Sequence, residues 1–222
     1  SGSAYIFNVQ TGAQLHKLTA DDGAAYDYFG YSVAISGNYA IVGAHGNDVN
    51  GDGNGSAYIF NVQTGAQLHH LLAIDGAGSD EFGISVAISG NYAIVGAQSD
   101  DDKGSASGSA YIFNVQTGTQ LHKLTASDGA ANDYFGRSVA IDGNYAIVGA
   151  HLDDDKGAYS GSAYIYTISS GQLHKLVPED GAGSDEFGYS VAISGNYAIV
   201  GAREDDDKGT NSGSAYIFNV QT

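Results

Sequence analysis

Short apolar runs alternate with turn residues along the whole chain, and nowhere is the three-to-four spacing of a helix sustained. Around Phe82 the pattern predicts four β-segments, Ile84 to Ile88, Tyr92 to Ala97, Ser109 to Val115 and Gln120 to Leu124. Ser89-Gly90-Asn91 turns the first into the second, and Gln116-Thr117-Gly118 turns the third into the fourth. The segments are rich in Val, Ile, Tyr and Phe with Ala and Gly between them, as suits sheets packed closely face to face. The single proline, Pro178, falls in a connection, where it interrupts no ladder. Capping boxes are also missing, so the expected class is all-β.

This four-segment unit recurs. Gly-Ser-Ala-Tyr begins at Gly2, Gly55, Gly108, Gly161 and Gly213, so successive copies lie 53, 53, 53 and 52 residues apart. Four antiparallel strands at such a period are the signature of a propeller blade, with a β-solenoid or flat tandem array as the alternative. The expected fold is a β-propeller of four four-stranded antiparallel blades, with residues 1–222 as a single repeat domain. The repeats begin near 2, 55, 108 and 161, and an extra terminal strand covers 213–222. The chain opens on a third strand, Ser3 to Val9, and finishes on another, Ser214 to Val220, which gives 17 strands. The last blade must then take its fourth strand from the N-terminal segment, and one third strand is surplus. Closure within the chain and strand sharing with a neighbouring chain both follow from this count. An unpaired edge seeks another edge, so the expected partner is a second copy, in a head-to-tail homo-oligomer or filament.

The segments Phe29-Gly30…Gly43-Ala44, Phe82-Gly83…Gly96-Ala97, Phe135-Gly136…Gly149-Ala150 and Phe187-Gly188…Gly201-Ala202 resemble FG-GAP repeats. That resemblance implies the propeller head known from integrin α-chains and bacterial surface proteins, and with it a calcium-binding, non-enzymatic module on or outside a cell. Two departures stand out. The proline that usually ends the motif is replaced by His45, Gln98, His151 and Arg203, and the family's calcium loop between the first and second strands is shortened to Ser-Gly-Asn or Asp-Gly-Asn.

Charge changes the picture more than bulk composition does. Only 15% of residues are charged, but 25 acids face 8 bases for a formal charge of −17. Such a surface repels nucleic acid and anionic membrane and favours cations. No apolar run approaches the roughly 20 residues of a membrane helix, so no membrane insertion is expected. Cysteine is absent, which removes disulfides, thiolate metal sites and cysteine catalysis. Methionine is absent too and Ser1 lies inside a repeat, so a processed or excerpted chain is expected.

In an up-down-up-down blade, the connection into the first strand and the loop between second and third strands emerge on the same face. All of the 25 acids except Asp142 fall in these two segments. The connection carries Asp22/Asp27, Asp75/Asp80, Asp128/Asp133 and Asp180/Asp185; the loop carries Asp100-Asp101-Asp102, Asp153-Asp154-Asp155 and Asp205-Asp206-Asp207. In the first copy the loop offers Asp48, Asn50, Asp52 and Asn54, alternate oxygen ligands around Gly53, as in the opening of a calcium loop. Two carboxylates about 5 Å apart repel by roughly 3 kcal/mol at an effective dielectric near 20. With only Lys103, Lys156, Lys208 and Arg203 expected nearby, a bound Ca²⁺ is expected at these acids, hard oxygen ligands favouring it over zinc or copper. The alternative is that aspartates fill turns and cap backbone amides. Under it, the second Asp of each connection holds the chain before Phe-Gly.

His16, His69, His122 and His174 recur in Leu-His-(Lys/His)-Leu on the fourth strand, where an exposed edge residue is commoner than a metal ligand. His45 and His151 adjoin the acidic loops. Asn54-Gly55-Ser56 is a glycosylation sequon inside the first loop. An enzyme needs one asymmetric constellation, whereas nearly every polar group here recurs in each copy, so no catalysis is expected. Two functions remain: a self-assembling structural module, or an adhesion or lectin-like module that binds a glycan or surface protein. An extracellular or cell-surface location follows from the resemblance and from the millimolar calcium that weak loop sites require.

Overall fold

The computed structural model describes residues 1–49, 53–169 and 171–221, and among these every regular element is a β-strand. β1 (Ala4–Phe7) and β2 (Gln14–Leu18) form a two-stranded ribbon. Three complete blades follow, each an antiparallel four-stranded sheet in sequence order. They are β3 (Ser32–Ser36), β4 (Tyr39–Ala44), β5 (Ser56–Asn61) and β6 (Gln67–Leu71); β7 (Ser85–Ser89), β8 (Tyr92–Ala97), β9 (Ser109–Asn114) and β10 (Gln120–Leu124); and β11 (Ser138–Asp142), β12 (Tyr145–Ala150), β13 (Ser162–Thr167) and β14 (Gly171–Leu176). β15 (Phe187–Ser194), β16 (Tyr197–Ala202) and β17 (Ser214–Asn219) complete the chain as a three-stranded sheet. The two ends of the chain thus carry incomplete sheets, of two and three strands.

Local sequence explains the hairpins. The Gly90-Asn91 loop joins β7 to β8 with φ of +55° at Gly90, the first central position that favours glycine in a two-residue hairpin turn. Pairing in register puts Val86, Val95 and Tyr111 in one row across the blade, with Ile88, Ala93 and Phe113 in the next but one. This face packs on Ile41, Ala57, Ile59 and Leu71 of the preceding blade. Large side chains of one blade therefore seat on smaller ones of its neighbour, and burial of these rows is the main force stacking the blades.

The Phe-Gly and Gly-Ala pairs build the same interface. Phe82 is buried edge-on against Tyr111 and Phe113, with ring centroids 5.4 and 5.8 Å away. Gly83 follows it, and its carbonyl accepts a 2.7 Å hydrogen bond from Ser32 Oγ of the preceding blade. A Cβ on Gly43 would lie 2.0 Å from that carbonyl oxygen, so the contact admits only glycine. The same serine bond recurs from Ser85 to Gly136 and from Ser138 to Gly188.

The inner strands touch in the order β3, β7, β11, β15, and β15 has no comparable contact with β3. The blades therefore form an open arc with two uncovered ends. Val33 and Ile35 on β3 are each 60% exposed, while their counterparts Val86 and Ile88 on β7 are 8% and 7% exposed. At the opposite end Ile217 is 72% exposed.

Candidate cation clasps on the acidic face

The connection and the second-to-third-strand loop of each blade meet at one end, joined by backbone bonds: Gly46 N to Asp27 O, Ser99 N to Asp80 O, Leu152 N to Asp133 O and Glu204 N to Asp185 O. Asp142, the remaining acid, is the last residue of β11, where its carboxylate accepts from Gly195 N at 2.7 Å. Within the acidic segments many aspartates serve the backbone. Asp80, Asp133 and Asp185 each accept the amide of the alanine three residues earlier at 2.7 Å, and Asp27 does the same with Ala24. These bonds hold a connection whose next residue has positive φ, +58° at Glu81 and +55° at Tyr134. Asp101, Asp154 and Asp206 accept from the amides of Ala106, Tyr159 and Asn211, five residues on, and so shape the loop itself.

In the second and third complete blades three further acids converge on a lysine. Lys123 Nζ, on β10, lies 2.7 Å from Asp75, 3.1 Å from Asp100 and 2.6 Å from Asp102. Lys175 on β14 repeats this with Asp128 at 2.6 Å, Asp153 at 3.1 Å and Asp155. Asp100 and Asp153 are buried and also accept hydroxyl bonds of 2.9 Å from Tyr111 and Tyr164. Each ammonium stands over the ring of that tyrosine, 5.3 and 5.2 Å from its centroid. Burial alone would lower the lysine pKa, but the three carboxylates outweigh it and hold both ammonium groups well above the ordinary range. Burial likewise pushes Asp75 and Asp128 up, and the lysine bonds bring both below the usual carboxylate value.

The expectation that only Lys103, Lys156, Lys208 and Arg203 neighbour these acids is therefore corrected. Fourth-strand lysines, remote in sequence, fill the space among them, whereas Lys103, Lys156 and Lys208 form no ion pair among the described residues. No group of three or more carboxylate or imidazole side chains among those residues is disposed to hold a metal. Around Lys123 and Lys175 the donor set does not fit calcium, because an ammonium already has the carboxylates as partners.

The first complete blade departs from this plan. Where the others have lysine it has His70, whose ring stacks on Tyr58 at 4.5 Å and lies 3.5 Å from Asp22. Burial lowers the pKa of this imidazole, with Asp22 opposing. The positions of Asp100 and Asp102 are taken by Asn47 and Val49, so the cation and two of its acids are lost together. Asp48 remains, and Asn54 is buried with its Oδ1 unpartnered. The expected ligands Asn50 and Asp52 lie outside the described residues. In the C-terminal blade Asp205 accepts from Ser214 and Tyr216 at 2.9 and 2.8 Å, but no lysine meets Asp180, Asp205 or Asp207 among the described residues.

The sequence profile described as "FG-GAP repeat" matches residues 13–60, 66–113, 119–166 and 171–218. The chain belongs to the FG-GAP repeat family. No curated protein matches it. Among solved structures, the FG-GAP chain is similar to the computationally designed Ika4 protein at 19% identity and TM-score 0.55, over 92% of this chain and 98% of that one. It also resembles the computationally designed Ika8 protein at 18% identity and TM-score 0.57, over 97% of this chain and 52% of that one. These likenesses support the propeller-type arrangement of blades.

The FG-GAP chain also gathers aromatic rings where the motif's usual proline is replaced. His45 stacks on Tyr28 at 5.1 Å and meets Tyr31 edge-on at 4.5 Å. His151 lies between Tyr134 and Tyr189, and Arg203 stands 4.3 Å from the Tyr189 centroid. Burial, reinforced by Arg137 and Arg203, lowers the His151 pKa to about 4. On the fourth strand, His16 and His69 bond to the carbonyls of Gln63 and Gln116 in the next blade at 3.0 Å, a blade-to-blade tie.

Proposed function

We propose that this FG-GAP chain is a non-enzymatic structural module that self-assembles through its ends, on or outside a cell. One observation supports this reading above all. The repeated polar groups are used up in internal clasps and turn bonds, while uncovered apolar surface is concentrated at the two ends of the arc. Sedimentation velocity over a range of concentrations tests it: association that grows with concentration is expected, and a monomer throughout would refute it.

Calcium has a narrower place in this proposal than the acid count suggests. The first loop is the candidate, because it lacks a lysine and carries Asp48 together with the buried, unpartnered Oδ1 of Asn54. Calorimetric titration of the wild type and of Asn54→Ala checks this, with heat of binding expected for the first and lost in the second. A second reading, a glycan- or protein-binding module, draws on the exposed rings of Tyr26, Tyr28 and Tyr31 beside the first loop. Glycan-array binding by a chain that stays monomeric would decide for it.

A further inference from the structure

Each interior junction between blades repeats the same parts. A first-strand serine donates to the glycine carbonyl of the following blade, as Ser32 does to Gly83, Ser85 to Gly136 and Ser138 to Gly188. A second-strand glycine lies against that carbonyl: a Cβ on Gly43, Gly96 or Gly149 would stand 2.0 Å from it. The first-strand Val-Ile pair of the following blade is buried on β7 and β11 and partly buried on β15. In the second and third complete blades, a fourth-strand lysine closes the acidic cluster of its own sheet.

The two ends of the arc each carry half of these parts. At the C-terminal end Ser190 has no acceptor among the described residues, and the space beside Gly201 holds no neighbouring glycine carbonyl. Among the described residues, the cluster of Asp180, Asp205 and Asp207 lacks its lysine, and β17 has no fourth strand beside it. At the N-terminal end Gly30 has no serine of a preceding blade on its carbonyl, and Val33 and Ile35 are exposed. β2 is a fourth strand, and its Lys17 stands over the Tyr5 ring at 5.9 Å without a carboxylate partner among the described residues.

We propose that these ends are the two halves of one blade junction, completed by a second copy of this chain. β2 of one copy supplies the fourth strand to the β15–β17 sheet of the other, and Lys17 enters the cluster of Asp180, Asp205 and Asp207. Ser190 and Gly201 then meet Gly30 of that second copy, and the exposed faces of β16 and β3 cover each other. Residues 3–8, which contain β1, and β17 share the sequence Ser-Ala-Tyr-Ile-Phe-Asn, so either serves as third strand. The occupant is a second copy, because β15 makes no contact with β3 comparable to those between neighbouring first strands, and the faces at both ends stay exposed. The charges also match in sign and number of partners, one ammonium for three carboxylates as around Lys123 and Lys175. The junction is heterologous, so it propagates head to tail until a ring closes.

This inference rests on the self-assembly reading, and the test separates the two. The 222-residue chain, its Lys17→Asp and Asp207→Lys variants, and an equal mixture of the variants are compared by sedimentation velocity, with circular dichroism confirming that each is folded. The wild type is expected to associate, and each variant alone to do so about 30-fold or more weakly. The mixture is expected to recover, because the Asp207→Lys chain still offers Lys17 to the intact cluster of the Lys17→Asp chain. Variants that associate like the wild type, or a mixture that fails to recover, would overturn this junction and leave self-assembly standing. A monomeric wild type would overturn both, and a monomer destabilised by Lys17→Asp would place β2 in its own chain's last blade.

Discussion

Replacing Lys123 by methionine keeps the length of the side chain and removes the charge shared by three carboxylates. The Asp75 and Asp102 side chains are 48% and 44% exposed, so each stands to lose what a surface pair is worth, about 0–1 kcal/mol. Asp100 differs, with its side chain only 5% exposed. Stranding a buried charge by removing its partner costs about 3–5 kcal/mol, and this contribution decides the outcome. The contact with the Tyr111 ring adds about 0.5–1 kcal/mol. Lys123→Met is therefore expected to destabilise by about 4 kcal/mol, whereas Lys103→Met, lacking an ion pair, stays within about 0.5 kcal/mol of wild type. Urea unfolding in chelator and in calcium gives the overall cost. Amide exchange at Gly104, Ser107 and Gly108, whose N–H groups bond within the acidic loop, localises it. Adding Asp100→Asn and Asp102→Val to Lys123→His, the set that the first blade carries as Asn47, Val49 and His70, should recover most of the loss. The reasoning fails if Lys123→Met matches Lys103→Met, or if chelator alone lowers wild-type stability as far as the substitution does.

Burial, with Asp153 and Asp154 nearby, raises the Asp133 pKa to about 6. A raised folded-state value favours the protonated form, so its charge costs stability above about pH 6 and ceases to do so near the ordinary value of 3.8. Asp133→Asn should therefore stabilise at pH 7 and lose that advantage as pH falls from about 6 to about 4, as read by urea unfolding. His151 acts in the opposite sense. Its pKa is lowered to about 4, so unfolding takes up a proton below 6.5, and His151→Gln should selectively gain stability between about pH 6.5 and 4. Gly96→Ala would set a methyl 2.0 Å from the Gly136 carbonyl and should cost about 1–3 kcal/mol. Gly201→Ala meets only the movable Ser190 hydroxyl in the single chain and should cost far less, a contrast that thermal melting at low concentration resolves.

The strands were legible because their turns and β-branched runs repeat without variation. The segment Ser109 to Val115 corresponds to the strand Ser109–Asn114, and counting third strands gives the 17 strands found. The clasps were not legible in the same way. Lys123 lies 23 residues from Asp100, on an outer strand where a polar side chain reads as solvent-facing. Its register opposite Tyr111 carries it along the blade to the buried carboxylate. One signal was available: the only copy with histidine in place of lysine also lacks the first and third loop acids, with Asn47 and Val49 there instead. Reading the copies against one another for compensating charge, and not only for what they share, would have found the pair. The second aspartate of each connection follows the alternative reading, a turn-former, since an acceptor three residues after an alanine amide is a local bond that spacing alone reveals.

The most direct measurement is the ¹⁵N resonance of lysine side chains in the labelled chain, recorded in chelator and again at millimolar calcium. If ammonium groups are the cations of the acidic clusters, Lys123 and Lys175 give slowly exchanging Nζ signals that stay in place in both solutions. Loss of both signals on adding calcium would show that the metal takes the carboxylates from lysine, and would contradict the account.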